Sequence, residues 1–207
     1  MKRCYDRREF LKRSAMAGIG LGVLGGLDFK FAEGANERLR VAVIGVNSRG
    51  HALAEAFARQ EDVHVAYVCD VDSRAVARTA QKVVALQSRE PKRLEDFRKA
   101  LDDPALDAVV IATPDHWHAP ASILALDAGK HVYVEKPCSY NPAEGEMLVA
   151  AARRNNKVCQ MGSQRRSWSK MKEAAALLRG GVIGPIHFVR CWYANARLPI
   201  GRGKPAP

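Results

Sequence analysis

Short runs of β-branched residues alternate with stretches of helical periodicity from residue 39 onward. The runs that predict strands lie at 39–44, 63–69, 108–112, 131–135 and 157–161. Alternation of this kind is typical of a parallel sheet that is covered by helices on both faces. The chain is therefore predicted to have a doubly wound α/β fold.

The segments between these strands carry helix signals. Gly129 stands where a C′ glycine would end a helix. Asn141, Pro142 and Glu144 supply a cap, a first-turn proline and a capping-box carboxylate for another helix. Apolar residues also fall at helical spacing between the second and third strands, at Val76, Ala80, Val83 and Val84. These local signals agree with the doubly wound parallel sheet.

The pattern changes after residue 161. A helix is predicted at 168–179, where two glycines end it, and a strand is predicted at 186–193, with large side chains on both faces. Nothing in 197–207 offers this strand a partner. We therefore expect 161–207 to be the incomplete start of a second, α+β domain.

The first 34 residues resemble an export signal. Arg7 and Arg8 precede an uncharged, mildly apolar stretch at 15–27, which is too short to span a bilayer. Paired arginines before such a stretch point to the twin-arginine export machinery and to the periplasm. Small residues at 32–34 offer a weak cleavage site, so a membrane anchor through an uncleaved leader remains the alternative. We exclude 1–34 from the fold.

The formal net charge of +11 invites a nucleic-acid interpretation. Seven of the basic residues lie in the leader, and the others are scattered without interleaved aromatic residues. A solvated surface is therefore the preferred explanation, and no nucleic-acid partner is expected. The composition, 47% hydrophobic and 27% charged, is that of an ordinary globular protein and excludes disorder.

The first predicted strand runs into a glycine turn and then a helix. Gly45 and Gly50 match the first and third glycines of GxGxxG, while Asn47 stands at the second position. Such a turn aims the helix N-terminus at a pyrophosphate in the Rossmann fold. Asn tolerates a left-handed backbone better than most residues. Ser48 and Arg49 open the helix and belong to the same candidate site, although a plain strand–helix turn is an equal alternative for this motif alone.

Asp70 ends the second predicted strand, 25 residues after Gly45. An acid near this position accepts hydrogen bonds from the adenine ribose hydroxyls, which favours NAD over NADP. The alternative is an Asp that caps the next helix, a role that Asp72 or Ser73 could fill instead. Arg74 leaves NADP open, because it could contact a 2′-phosphate.

Two further segments make the prediction more specific: ATPDHWH at 112–118 and GKHVYVEKP at 129–137. With the glycine turn before them, they resemble the Gfo/Idh/MocA oxidoreductases, whose first domain carries a glycine turn, a TPxxxH segment and an EKP motif in this order. The resemblance covers about residues 39–207. It implies a dinucleotide-binding Rossmann domain, which we place at 35–160.

The resemblance also assigns roles to residues of these segments. It implies that Lys136 orients the substrate and handles a proton, with Glu135 before it in the cofactor site and Pro137 after it, where the family allows a cis bond. A surface lysine paired with Glu135 is the alternative. Thr113, Pro114 and His118 match the family segment beside the cofactor. No partner at a convincing spacing makes the histidines of this segment metal ligands, so no metal is predicted.

For an intact relative, the resemblance implies hydride transfer between a sugar or polyol and NAD. It also implies a second domain with a catalytic Asp/His pair, whereas the only histidine after residue 131 here is His187. The chain is therefore expected to be a truncated form, and whether it is an enzyme stays open. Two alternatives are an NAD-dependent glycosidase that oxidises its sugar transiently, and a non-catalytic exported cofactor-binding module. The exposed final strand would allow a homo-oligomer.

Overall fold

The computed structural model describes residues 38–193 of the chain. The predicted leader and the end of the last segment, 194–207, lie outside the described residues. The described part contains one parallel sheet of six strands in the order β3-β2-β1-β4-β5-β6. The strands are β1 Leu39–Ile44, β2 Val63–Cys69, β3 Lys92–Leu94, β4 Ala108–Ile111, β5 His131–Glu135 and β6 Cys159–Gly162.

Helices connect these strands. The connecting helices are α1 Arg49–Ala58, α2 Ser73–Gln87, α3 Arg98–Leu101, α4 His118–Asp127 and α5 Pro142–Arg154, with a 3₁₀ turn at Asp115–Trp117 before α4. After β6 come a 3₁₀ turn at Gln164–Ser167 and the helix α6 Ser169–Arg179. Within residues 38–193, no helix is long and apolar enough to cross a membrane.

The sheet confirms the predicted doubly wound α/β fold. Strand β1 pairs in parallel with both β2 and β4, so the strand order reverses at the β1–β4 junction. In open sheets of this kind, ligands bind outside the carboxyl ends of the strands at this junction. The fold therefore directs attention to the loops that follow β1, β2, β4 and β5.

Each face of the sheet has its own apolar core. Val41 and Val43 of β1 pack on one face with residues of α1 and α2, such as Leu53 and Val76. The other face packs against α4 and α5, and it includes Leu126. All seven residues of β2 are buried, as expected for an inner strand covered on both faces. The two cores hold the carboxyl ends of the strands in fixed positions.

All five predicted Rossmann strands are confirmed, with differences of at most two residues at their ends. Strand β3 was not predicted, because Lys92–Leu94 is a short polar edge strand without a β-branched residue. It pairs only with the last three residues of β2. At Val65, where β3 does not extend along β2, the side chain of Gln87 donates to the Val65 carbonyl at 2.9 Å and accepts from the Val65 amide at 3.0 Å. The side chain thus replaces the missing strand partner.

The strand predicted at 186–193 is wrong. This segment has no regular secondary structure, and Phe188 and Trp192 are 81% and 77% exposed. A β-strand needs a neighbouring strand for its backbone hydrogen bonds, and within 38–193 no strand pairs with this segment. The edge on which we based a homo-oligomer is therefore not present in the described residues. The helix predicted before it is confirmed as α6.

Candidate functional site

The loop after β1 makes a tight turn at Gly45. This residue has a φ of +79°, and its amide donates to the carbonyl of Cys69 at the end of β2, at 2.8 Å. A Cβ built on Gly45 would lie 2.6 Å from the amide nitrogen of Thr113. Both the left-handed backbone and the close approach of the β4 loop therefore require glycine.

Gly50 lies in the first turn of α1 and is buried. A Cβ on this residue would overlap the carbonyl oxygen of Gly45. Ser48 occupies the N-cap position without a side-chain capping bond, so its hydroxyl leaves the first amide groups of the helix uncovered. Uncovered amides and the positive end of the helix dipole favour an anion at this point. The three residues thus form the geometry that a pyrophosphate needs.

Asn47 is exposed at the second motif position. It is not among the described residues with positive φ, so the left-handed conformation that the sequence argument allowed is not used. Its carbonyl and its side-chain Oδ1 accept from the guanidinium of Arg78 at 2.9 and 3.0 Å. The neighbouring Thr79 donates to the carbonyl of Val46 at 3.1 Å. Helix α2 therefore fixes the glycine turn from outside, a role that no sequence motif indicated.

Asp70 follows β2 directly, beside the glycine turn. Its Oδ1 accepts from the amide of Asp72 at 3.0 Å, and its own amide donates to the carbonyl of Leu94. It does not cap α2, because Asp72 is the N-cap and accepts from the amide of Arg74 at 2.9 Å. The capping alternative for Asp70 is therefore wrong. Its carboxylate remains available at the carboxyl edge of the sheet.

Arg74, the residue that left NADP open, is bound by Asp72. Its Nε and one terminal nitrogen lie 3.1 and 3.2 Å from the two carboxylate oxygens of Asp72. These side-chain hydrogen bonds lower the pKa of Asp72 below its ordinary value, so the carboxylate stays ionised. A guanidinium that is already paired is a weaker partner for a 2′-phosphate.

The loop after β4 carries the TPxxxH segment. Pro114 is exposed and its carbonyl accepts from the amide of Trp117 at 2.9 Å, which closes a 3₁₀ turn. The hydroxyl of Thr113 is buried and has no hydrogen-bond partner in the described structure. A buried hydroxyl without a partner is rare in a folded protein. It lies in the loop that follows β4, at the junction of β1 and β4.

His118 is 1% exposed at the start of α4. Its Nδ1 lies 2.5 Å from the carbonyl oxygen of Pro137, and its Nε2 lies 2.8 Å from the carbonyl oxygen of Thr113. Both ring nitrogens are therefore occupied by backbone atoms. The ring joins the loop after β4 to the segment after β5.

Glu135 ends β5 and is buried, with only 5% of its side chain exposed. Its partner is Arg49 at the start of α1, whose Nε donates to Oε1 at 2.8 Å. The alternative in which Glu135 pairs with Lys136 is therefore wrong. Lys136 is exposed at the carboxyl end of β5, and the bond to Pro137 is cis. Within residues 38–193, the Lys136 side chain is thus exposed at this edge of the sheet.

The structure brings the predicted site residues to one edge of the sheet, at the carboxyl ends of β1, β2, β4 and β5. The glycine turn offers uncovered helix amides and Asp70 offers a carboxylate, which suit the pyrophosphate and a ribose of NAD, respectively. The nearby Thr113 hydroxyl is buried and has no partner within the described residues. Within residues 38–193, no group of three or more His, Cys, Asp or Glu side chains could hold a metal ion.

Comparison with known proteins agrees with this geometry. Residues 39–163 match the model of an oxidoreductase family with an NAD-binding Rossmann fold, Gfo/Idh/MocA. A curated relative from Saccharopolyspora erythraea, a glycosyl hydrolase family 109 protein, is 31% identical over 209 aligned positions. These cover 89% of this chain and 44% of the relative, so the chain spans less than half the relative's length.

Two solved structures share the fold. One is a 3-ketoreductase from Actinomadura kijaniata in complex with NADP and TDP-benzene, with 25% identity and a TM-score of 0.65 over 72% of this chain and 44% of that one. The other is scyllo-inositol dehydrogenase from Lactobacillus casei with NAD(H) and scyllo-inositol. It is 23% identical, with a TM-score of 0.63 over 71% of this chain and 42% of that one.

Proposed function

The chain belongs to the Gfo/Idh/MocA oxidoreductase family, and from that premise we propose that it transfers a hydride between a sugar or polyol and NAD. The observation that carries the proposal is the convergence of the glycine turn, Asp70 and Lys136 at one edge of the sheet. When bound there, the nicotinamide would supply the carbon that takes or gives the hydride.

The protein would contribute binding and orientation. The amides at the start of α1 would hold the pyrophosphate, and Asp70 would accept hydrogen bonds from the adenine ribose. Lys136 is exposed where β5 ends, beside the β4 loop. Its amine would bind the hydroxyl of the reacting sugar carbon and hold or release the proton of that hydroxyl.

A second candidate is an NAD-dependent glycosidase. The S. erythraea relative, which is named a glycosyl hydrolase family 109 protein, favours this candidate. Of the three proteins described above, it is the most similar to this chain in sequence. In this mode the sugar is oxidised and then reduced again, so the glycosidic bond breaks without net formation of NADH. The same NAD-binding residues and the same Lys136 would serve both reactions.

Export is a separate proposal, which rests on the arginine pair and the apolar stretch of residues 1–34. We propose that the twin-arginine machinery carries the folded chain to the periplasm. Replacement of Arg7 and Arg8 by lysine should leave the protein in the cytoplasmic fraction. Equal periplasmic amounts of the two proteins would refute this route.

The test of function begins with the full chain and NAD. Titration calorimetry should show NAD binding, and loss of that heat in Gly45→Asp would locate it at the glycine turn. Two assays on panels of sugars and aryl glycosides then separate the candidates. NADH absorbance with free sugars supports the dehydrogenase, and release of the aryl group without NADH supports the glycosidase.

Lys136→Met should abolish either turnover while NAD binding persists. Lys82→Met is the matched control, because Lys82 is an exposed lysine on α2 away from the site. NAD binding without turnover on either panel would instead indicate the non-catalytic cofactor-binding module. Absence of NAD binding would refute the cofactor proposal itself.

A further inference from the structure

His118 makes two contacts that a neutral imidazole cannot satisfy together. Both of its partners, the carbonyls of Thr113 and Pro137, can only accept hydrogen bonds. A neutral ring has one N–H and one lone pair, so one carbonyl oxygen would face a lone pair at 2.5 or 2.8 Å. A ring that carries hydrogens on both nitrogens donates to both carbonyls.

The hydrogen-bond geometry fits the doubly donating ring. His118 is 1% exposed, and burial by itself disfavours the charged form of an imidazole, so hydrogen bonds must compensate for the lost water. Here every polar atom of the ring has an acceptor. The 2.8 Å contact to Thr113 lies in the range of charge-assisted hydrogen bonds, and the contact to Pro137 is shorter still.

The two carbonyls belong to the two loops of the proposed active site. Thr113 packs directly against Gly45 of the glycine turn, and Pro137 follows Lys136. A ring held between them fixes the distance from the cofactor-binding turn to the backbone that carries Lys136. Small displacements of a reacting group have large effects on rate, so this contact bears on turnover.

We propose that His118 is a positioning residue: a doubly protonated ring that joins the carbonyls of Thr113 and Pro137 and thereby aims Lys136. The role assigned to Lys136 rests on the proposed function, while the protonation of the ring does not. His118 thus acts through Lys136 and is not itself a ligand of NAD or sugar.

The elements packed against α4 carry several charged or titratable groups. They are Asp115 and His116 in the 3₁₀ turn before α4, Asp127 on α4 itself, His131, Glu135 and Lys136 in and directly after β5, Glu144, Glu146, Arg153 and Arg154 on α5, and Arg49 at the start of α1. Glu135 is bound by Arg49, and none of these side chains bonds the His118 ring in the described structure. The two carbonyls are therefore the hydrogen-bond partners of the ring within the described residues.

The first test is ¹⁵N NMR of the full chain with labelled histidine, and the His118 signals are identified by their loss in His118→Phe. We expect both ring nitrogens to carry hydrogen at neutral pH, with splitting by an attached proton on each. A His118 nitrogen without a proton at this pH would overturn the proposal. This readout needs neither cofactor nor substrate.

The second test separates positioning from folding. With any substrate that the wild-type protein turns over, His118→Gln should lower kcat about tenfold or more. The KM and the NAD dissociation constant should change less than about threefold. The ¹³C signal of reductively methylated Lys136 should shift in this variant, and it should stay in place in His116→Gln, whose side chain is exposed.

An unmoved Lys136 signal in a folded His118→Gln protein would refute the positioning role. Should the wild-type protein turn over no sugar or glycoside, the proposed function fails, yet the NMR measurements still decide the role of His118. The two failures are therefore distinguishable.

Discussion

Arg49 donates from Nε to Oε1 of Glu135 at 2.8 Å, across 86 residues of sequence. The contact ties the first residue of α1, beside the glycine turn, to the last residue of β5, next to Lys136. One partner is 46% exposed and the other 5%. The pair therefore joins the cofactor-binding half of the site to the half that carries the lysine.

Replacement of Arg49 by methionine should leave the Glu135 carboxylate buried without its cation. Loss of one partner of a buried hydrogen bond costs about 1–3 kcal/mol, and we expect that loss in urea unfolding at neutral pH. Arg59→Met is the control at the C-cap of the same helix, since Arg59 pairs with Glu55 at the surface, and it should cost less than about 1 kcal/mol. Equal losses of unfolding free energy in the two variants would show that the Arg49–Glu135 pair stabilises the fold no more than a surface pair.

Gly45→Ala tests the close approach of the two loops. Gly129 is the matched control, because it has a similar φ of +75° but nothing within 4 Å of an added Cβ. The left-handed backbone should cost each variant about 1–2 kcal/mol. The free energy of unfolding of Gly45→Ala should fall by more than this, because the added Cβ also meets the β4 loop. The variant should also show no NAD binding in calorimetry. Normal NAD binding by Gly45→Ala would show that the turn does not hold the cofactor.

Much of the fold could be predicted because its signals are local. Buried parallel strands are continuous β-branched runs, and caps such as Asn141 act within one turn. Strand β3 lacked such a signal, since three edge residues bury little. The segment 186–193 had a strong strand signal, but propensity alone does not supply the neighbouring strand that a strand requires.

The site was predicted where a motif imposes a backbone shape. Gly45 and Gly50 are required by contacts that any cofactor-binding turn of this kind makes. The pairs Arg49–Glu135 and Arg78–Asn47 connect distant parts of the sequence. Nothing in a chain with 33 basic residues marks which of them will meet a given partner. Only the folded arrangement identifies them.

Arg78→Gln should weaken NAD binding, although Arg78 belongs to no motif. Its two hydrogen bonds hold the carbonyl and the side chain of Asn47, and each is worth about 0.5–1.5 kcal/mol. We expect the NAD dissociation constant to rise about three- to tenfold. Lys82→Gln, one turn further along α2, should leave it unchanged. An unchanged affinity in Arg78→Gln would show that the turn keeps its shape without α2.

Asp70 and Asp72 should both favour NAD over NADP, by two different routes. Asp70→Ala should weaken NAD binding, because the ribose loses its acceptor. It should therefore narrow the difference between the dissociation constants of NAD and NADP. Asp72→Ala should strengthen NADP binding, because it releases Arg74 for the 2′-phosphate. Calorimetry with both cofactors measures each effect. NADP binding that stays constant in Asp72→Ala would show that Arg74 cannot reach the phosphate.

Asp103 should contribute to stability in a pH-dependent way. The amide of Ala105 and the hydroxyl of Tyr67 donate to its carboxylate, and together with Arg40 they hold its pKa below the usual 3.8. Because the folded pKa is the lower one, the contribution is fully present above about pH 4 and disappears as the pH falls through the folded value. Asp103→Asn should therefore have a lower free energy of unfolding than the wild-type protein at pH 7.

This difference in the free energy of unfolding should shrink below pH 4 in urea experiments. The exposed neighbour variant Asp102→Asn should differ little from the wild-type protein at either pH. A deficit in Asp103→Asn that stays constant from pH 7 to pH 3 would mean that the ionised carboxylate is not what these hydrogen bonds stabilise.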